Sequence, residues 1–511
     1  MIQLCCLWLA ALPSALAAAG NSTLLAHWTH RAAQSSMQRS VAFIARHPTS
    51  TKSHAFQWEP EWTTEVATVP ILGELAAPEC LAACGDGRRC CARCGFYARG
   101  SWQATDDPSV VPRAVGLLEV KAPSKGHPEL AEWRPMRTSL SVNVSKRYRW
   151  AHAEGGPGER CEAPAEAFSA LAACRAVCGR RCMQGCERKH PGGLLHCNAT
   201  LVGLGDSTVR SQVAALANMV RAVGTMTLST HQGSAAVSCP DPDRGLVIHL
   251  EMFAVQSINY RERTLASAGV STLKLIGIDL SVVLRRSDVV LVNTGPFQKV
   301  NWGRGQPLLN KLHSLQLEIR ESSQGLVAAL GTCGFQGKLV FRTTTRGHPF
   351  CWEPSFQRPH RDPASVAGPW LRLKGIGNRT VWNATRLDDS SASANSSLKI
   401  TVNSEEKYFK EVAEKFQWQF FPLTNRLFAA ELTKAVLEAV PRVELLLLDD
   451  ALMGELSSHG KNGGNAAPHA AARGQKLPPI GGDCLHFSFP SLNLWLNAFL
   501  VRTLSDDEAD G

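Results

Sequence analysis

The stretch Thr200-Leu-Val-Gly-Leu-Gly-Asp-Ser-Thr-Val-Arg210 changes periodicity in mid-course, and that narrows what the chain around it can fold into. It opens as a short apolar run, passes Gly203 and Gly205, and delivers Asp206 and Ser207. After Ser207 the residues Val209, Val213, Leu216 and Val220 recur at the spacing of one helix face. A buried strand is therefore predicted to run through a glycine-containing turn into a helix, with Ser207 at the helix start. The open N–H groups and the positive dipole end of a helix favour developing negative charge there. Gly205 would leave room for a substrate carbonyl beside the serine. The plainer reading of Gly-Asp-Ser is an ordinary turn with a helix cap, and context has to choose between them.

Context comes from two later segments. Asp483-Cys484-Leu485-His486 carries a carboxylate and an imidazole three residues apart. A serine hydroxyl is a poor nucleophile until a base takes its proton, and the base works best when a third group fixes its tautomer. Asp483 and His486 can supply both functions to Ser207. Between these blocks, Ser287-Asp-Val-Val-Leu-Val-Asn293-Thr-Gly295 reads as a buried strand that ends in Asn-Thr-Gly. The Asn293 amide and the Ser207 backbone N–H are candidate donors to an oxyanion.

The order Gly-Asp-Ser, Asn-Thr-Gly, Asp-x-x-His resembles the SGNH (GDSL-type) hydrolase superfamily. Within it, the chain is similar to the PC-esterase and trichome-birefringence-like group of polysaccharide O-acetyltransferases. Four runs carry the resemblance: Gly205-Asp-Ser207-Thr-Val-Arg210-Ser-Gln212, Val290-Leu-Val-Asn293-Thr-Gly295, Leu339-Val-Phe-Arg342-Thr with His348, and Asp483-Cys-Leu-His486 with Pro490 and Trp495. It spans residues 145–500 in islands. The resemblance implies an α/β, three-layer SGNH-type fold with a central, mainly parallel sheet. It also implies a Ser207–His486–Asp483 triad, an organising role for Arg210 at the oxyanion site, and a bridge from Cys484 to Cys351, with Cys333 the second choice. Two departures concern the acceptor. Pro296-Phe297-Gln298 stands where plant members carry His-Trp-Trp, and Phe487-Ser488-Phe489-Pro490 where they carry Trp-Cys-Leu-Pro. The acceptor groove is therefore expected to be this chain's own. Phe297, Gln298 and Trp302 are its candidates, followed by Trp352 and Trp495, although Trp495 on its helix reads better as core.

The remaining sequence bounds compartment and partners. With 511 residues, 44% of them hydrophobic, there is material for one large core and a smaller second region. Residues 1–19 read as a secretory signal, or as an uncleaved anchor. Residues 20–144 read as a cysteine-containing stem or cap, and 145–505 as the catalytic domain. Six N-x-Ser/Thr acceptors, at Asn21, Asn143, Asn198, Asn378, Asn383 and Asn395, agree with a lumenal chain. Seventeen cysteines are present; Cys5 and Cys6 lie in the signal, so the mature count is odd. Most of the others fall in two clusters, Cys80–Cys94 and Cys161–Cys197. Bridging is expected in an oxidising compartment. The i,i+4 run Cys174, Cys178, Cys182, Cys186 leaves zinc as the sharper alternative. The formal charge of +10 is dispersed and offers no basic block with interleaved aromatics, so a nucleic-acid partner is not expected. Membrane contact is expected only through a retained signal.

The chemistry the resemblance implies, placed by the signal and the glycosylation acceptors in the Golgi lumen or outside the cell, is O-acylation of polysaccharide or glycan hydroxyls. No metal and no tightly bound cofactor is expected; the acyl donor would be acetyl-CoA or another acetyl ester. An esterase with the same triad and a non-catalytic glycan-binding protein of the same fold are the rivals.

Overall fold

The computed structural model describes residues 100–105, 118–121, 132–135, 147–151, 169, 171–179, 196–221, 226–228, 234–238, 245–254, 284–293, 308–351, 356, 358–360, 363–366, 368–373, 417–449, 453–454, 456–457, 484–485 and 491–505. The molecule is mixed α/β. Strand β5 (His196–Gly205) runs straight into helix α1 (Ser207–Arg221), followed by β6 (Met226–Leu228), β7 (Ser234–Ser238) and β8 (Gly245–Ala254). Then come β9 (Val289–Val292), α2 (Leu308–Thr332), β10 (Lys338–Arg342), α3 (Phe421–Ala439), β11 (Glu444–Leu448) and α4 (Ser491–Ser505). These strands form one seven-stranded sheet in the order β11-β10-β9-β5-β8-β7-β6. The five from β11 to β8 are parallel, and β7 and β6 complete the sheet antiparallel.

Near-continuous apolar strands such as Val-Val-Leu-Val in β9 are what a sheet covered on both faces requires. On one face Val202, Leu204, Val290, Val292, Leu339 and Phe341 meet α2 and α3 through Ile319, Leu326, Leu330, Phe428 and Leu432. Phe341 stacks on Phe428 with ring centroids 5.6 Å apart. Each such side chain contributes about 1.5–3 kcal/mol when fully buried. At the rim of that interface, Arg320 of α2 donates from Nε (3.0 Å) and Nη2 (3.1 Å) to the Glu431 carboxylate of α3. On the opposite face α1 lies close against β5. A Cβ on Gly203 would fall 2.8 Å from Met252 Sδ and 2.9 Å from Val213 Cγ2, so only glycine lets the helix approach this closely. Helix α4 joins α1, with Asn497 Nδ2 donating to the Gln212 carbonyl at 3.1 Å.

Two ribbons precede the sheet. β1 (Ser101–Thr105) pairs antiparallel with β4 (Arg147–Ala151), and β2 (Leu118–Lys121) with β3 (Glu132–Pro135). β1 therefore comes from ahead of residue 145, where the catalytic domain was expected to begin, and pairs just beyond it. Trp102 and Trp150 of this ribbon pack edge to face, 5.3 Å between centroids, and Trp102 stands 6.3 Å from Trp495 of α4. The ring nitrogens are satisfied, Trp102 by the Met453 carbonyl at 3.0 Å and Trp495 by that of Tyr148 at 3.3 Å.

A helical stretch at 171–179 starts at Ser169, whose Oγ accepts the Ala172 N–H at 3.1 Å. Cys174 and Cys178 lie on its buried side and both are disulfide-bonded, so neither thiolate is left to ligate zinc. Of the other cysteines of the two clusters, Cys197 lies on β5 and the rest lie outside the described residues. Cys333, the second choice as partner for Cys484, is a buried thiol. Among the described residues, no helix is long and apolar enough to cross a membrane.

Candidate active site

The position of the site follows from strand order. β5 leads through α1 to β8 on one side, whereas its other neighbour β9 leads through α2 away to β10. Connections departing in opposite directions from adjacent parallel strands open a crevice at their carboxyl ends, where α/β sheets bind ligands. At that edge stand Asp206 and Ser207 from β5, Asn293 from β9, Thr343 and Thr344 from β10, and Asp449 from β11.

Asp206 is the N-cap of α1. Its carbonyl accepts the Arg210 N–H at 3.1 Å, and its Oδ1 accepts the Thr208 N–H at 2.9 Å. A carboxylate in this position satisfies one of the open N–H groups and favours the positive end of the dipole. Ser207 is thus the first residue of α1, as the change of periodicity predicts; for this residue the structure describes the backbone. Arg210 lies one turn further, half-buried.

Asn293 is 1% exposed and is anchored by its own N–H to the Leu204 carbonyl at 3.2 Å. Its amide fills the space beside Gly205. A Cβ there would lie 2.6 Å from Asn293 Oδ1 and 2.9 Å from Val209 Cγ2. Gly205 therefore makes room for Asn293 and Val209 rather than for a substrate carbonyl, which corrects the expectation from sequence. Asn293 Nδ2 donates to Thr208 Oγ1 at 3.0 Å and to Thr344 Oγ1 at 3.3 Å. Thr208 Oγ1 in turn donates to Asp206 Oδ1 at 2.7 Å. Thr344 is held from α3, since Asn425 accepts its N–H (2.8 Å) and donates to its carbonyl (2.9 Å). Thr343 Oγ1 donates to Asp449 Oδ1 at 3.0 Å. A continuous buried polar network therefore runs from the end of β5 across β9 to β10. Sequence reading missed Thr208, Thr344 and Asn425 in it; the only local hint is the run Thr343-Thr344-Thr345 after a strand.

The loop beyond β10 is buried throughout, from Thr343 to Phe350, and the Arg346 guanidinium lies 5.0 Å above the Trp370 ring. His348 stacks on Phe356 with centroids 4.9 Å apart and meets His360 edge to face at 5.9 Å. This loop holds the terminal block. Cys351 and Cys484 are joined by a disulfide, Cα–Cα 5.4 Å, and the His348 N–H donates to the Cys484 carbonyl at 3.0 Å. Cys484 is thereby fastened to the loop that leaves the carboxyl end of β10. Its sequence neighbours Asp483 and His486 lie outside the described residues, as do Phe297, Gln298, Trp302 and Trp352. Trp495 is buried in the aromatic cluster of α4, which suits core rather than groove. Among the described residues, no three His, Cys, Asp or Glu side chains gather as a metal site would require.

Far from this edge, Asp288 stands at the amino end of β9. Its Oδ2 accepts the Thr200 N–H at 2.8 Å. Burial nevertheless pushes its carboxyl up to about 6, the backbone hydrogen bond opposing only part of that shift. Glu251 on β8 is also raised, by burial first and against the pull of Arg286. Neither is at the carboxyl edge, so these shifts belong to the sheet and not to the candidate chemistry.

A scan against protein-family models, a search of curated proteins and a search of solved structures each return no match for this chain.

Proposed function

We propose that this chain is a secretory-pathway O-acyltransferase, an acetyltransferase acting on polysaccharide or glycan hydroxyls, with the three-layer SGNH-type fold of the PC-esterase and trichome-birefringence-like group. Ser207 Oγ attacks the acyl carbonyl of the donor while His486, oriented by Asp483, takes its proton. The donor's leaving group departs with that proton, and the acyl-serine remains. A sugar hydroxyl then attacks the acyl-serine, its proton passing to His486 and on to Ser207 Oγ as the ester forms. The Ser207 N–H at the head of α1 and the Asn293 amide face the carbonyl oxygen, with Arg210 beside them.

One observation carries this reading: two of the three blocks, Gly-Asp-Ser and Asn-Thr-Gly, meet at the carboxyl edge of the sheet. Ser207 opens α1 at the end of β5, and Asn293 closes the neighbouring strand against Gly205. Cys484, one of the two residues between Asp483 and His486, is bridged to the loop after β10. A sequence in which Gly-Asp-Ser were only a turn has no reason to end Asn-Thr-Gly beside it.

The test is mass spectrometry of the full chain after incubation with candidate acetyl donors. An acetyl adduct on the Ser207 peptide, lost in a folded Ser207→Ala protein, supports the assignment. An adduct at wild-type level in folded Ser207→Ala ends it. The fate of the label then separates the chemistries. Transfer to oligosaccharide marks a transferase, and release to water alone, with no acceleration by any oligosaccharide, replaces the proposal with an esterase.

A further inference from the structure

The buried network around Asn293 settles which way its amide faces. Asp206 Oδ1 accepts from both the Thr208 N–H (2.9 Å) and the Thr208 hydroxyl (2.7 Å). A hydroxyl has one proton, so Thr208 Oγ1 has spent its own on Asp206 and can only accept from Asn293. The atom of Asn293 facing it at 3.0 Å must therefore be Nδ2, and Oδ1 must turn toward Gly205. The second amide proton goes to Thr344 Oγ1 at 3.3 Å, the longer of the two contacts. Thr344 cannot drift away, because Asn425 grips its peptide on both sides.

From this directional chain we propose that Thr208 is a positioning residue for the reaction: it locks the Asn293 amide through Asp206. One amide proton is thereby fixed, and the other, held in the same amide plane and aimed along the longer Thr344 contact, is the one an oxyanion can share. The role rests on the reading of Asn293 as an oxyanion donor. The physical logic is that a donor works in catalysis only when its orientation is set before charge develops. An amide rotating about its last torsion in a polar cleft would offer Oδ1 as readily as Nδ2. Thr208 removes that choice, since an amide oxygen turned toward its committed hydroxyl would find no proton. The helix cap and the oxyanion site are in this way one device, with Asp206 anchoring both. Valine would keep the shape of Thr208 and its N–H to Asp206 while deleting the hydroxyl link.

Two measurements on the full chain test it. The first is kcat and KM for a small activated acetyl ester with Thr208→Val and Thr208→Ser. Thr208→Val is expected to lower kcat by about tenfold or more with KM changed less than about twofold, because the lost element acts on the charged state. Serine, which restores the hydroxyl, is expected to recover most of the rate. The second is hydrogen exchange of the Asn293 side-chain amide by NMR on asparagine-labelled protein, its signal identified by its loss in Asn293→Asp. Slow exchange is expected in the unsubstituted chain, about tenfold faster in Thr208→Val, and slow again in Thr208→Ser. Fast exchange in the unsubstituted chain overturns the lock without any variant having to fold. Unchanged kcat with unchanged exchange in Thr208→Val overturns it as well. Faster exchange with unchanged kcat overturns the catalytic role of the lock. A protein inert toward every acetyl donor, yet with the expected exchange pattern, supports the lock and refutes the acyl-transfer reading instead.

Discussion

Two aspartates that grip β5 do opposite work. At the carboxyl end Asp206 is committed as a cap and as the terminus of the Thr208–Asn293 chain. Midway along the strand Asp288, from the amino end of β9, binds the backbone of Thr200 in both directions, its N–H donating to the Thr200 carbonyl at 2.9 Å and its Oδ2 accepting the Thr200 N–H at 2.8 Å. Burial raises the Asp288 carboxyl to about 6. An acid whose folded value lies above its unfolded one stabilises fully below the unfolded value and loses that contribution as pH rises through the folded value. Between pH values of about 4 and about 6 the folded chain therefore holds a proton the unfolded chain has lost, and Asp288 takes away up to about 3 kcal/mol. Asp288→Asn keeps an acceptor for Thr200 and abolishes the titration. Urea unfolding at several pH values is expected to show the variant gaining stability relative to the parent as pH rises from about 4 to about 6. A parent and variant that run parallel across that range would refute the assignment.

At the scale of elements, the helices that sequence patterning finds are those with one dry face and one wet one. α1 begins at Ser207, where the change of periodicity puts it, and Val209, Val213, Leu216 and Val220 form its buried stripe. α3 runs from Phe421 to Ala439, but an amphipathic period is visible in its sequence only from Glu431. Its first turns, with Phe421, Leu427, Phe428, Ala429 and Ala430 all buried, have too little polar contrast for a helical period to emerge. Residues 284–286 form a helical turn that leads into β9. The docking of the β1–β4 ribbon on α4 could not be read at all, because three tryptophans far apart in sequence make it. Trp495 is 4% exposed among them, so Trp495→Ala is expected to cost about 3–5 kcal/mol. Chemical denaturation of that variant would contradict the packing if it showed less than about 1 kcal/mol lost.

For the whole molecule, the bridge from Cys351 to Cys484 closes a sequence separation of 133 residues across the body of the fold. Cross-linking so long a loop restricts the unfolded chain by about 5 kcal/mol in the chain-entropy account. Cys484→Ser is accordingly expected to lower stability by about 2–5 kcal/mol. It should also depress esterolysis beyond what the loss of folded protein explains, because Cys484 lies in the short segment that joins Asp483 to His486. The measurement is unfolding free energy together with kcat per folded molecule, alongside peptide mapping without reduction. Cys484 alkylated freely in the native parent, or a Cys484→Ser variant as stable and as active per folded molecule as the parent, would remove the bridge from the account.

The sequence by itself determined what is local. Strand β5, the glycine turn and helix α1 with Ser207 at its head follow from the apolar run and the spacing after it. So does the apolar strand that became β9. Periodicity records which face of an element is dry, and that information is carried within a few residues. It does not record which strand lies beside which, and the site is made at that level. Thr208 meets Asn293 across 85 positions, Asn293 meets Thr344 across 51, and Thr344 meets Asn425 across 81. Those contacts exist only because β5, β9 and β10 adjoin in parallel register and end at one edge. The tertiary structure alone decided that Gly205 yields its space to an asparagine. A threonine with one proton to give decided how that asparagine must face.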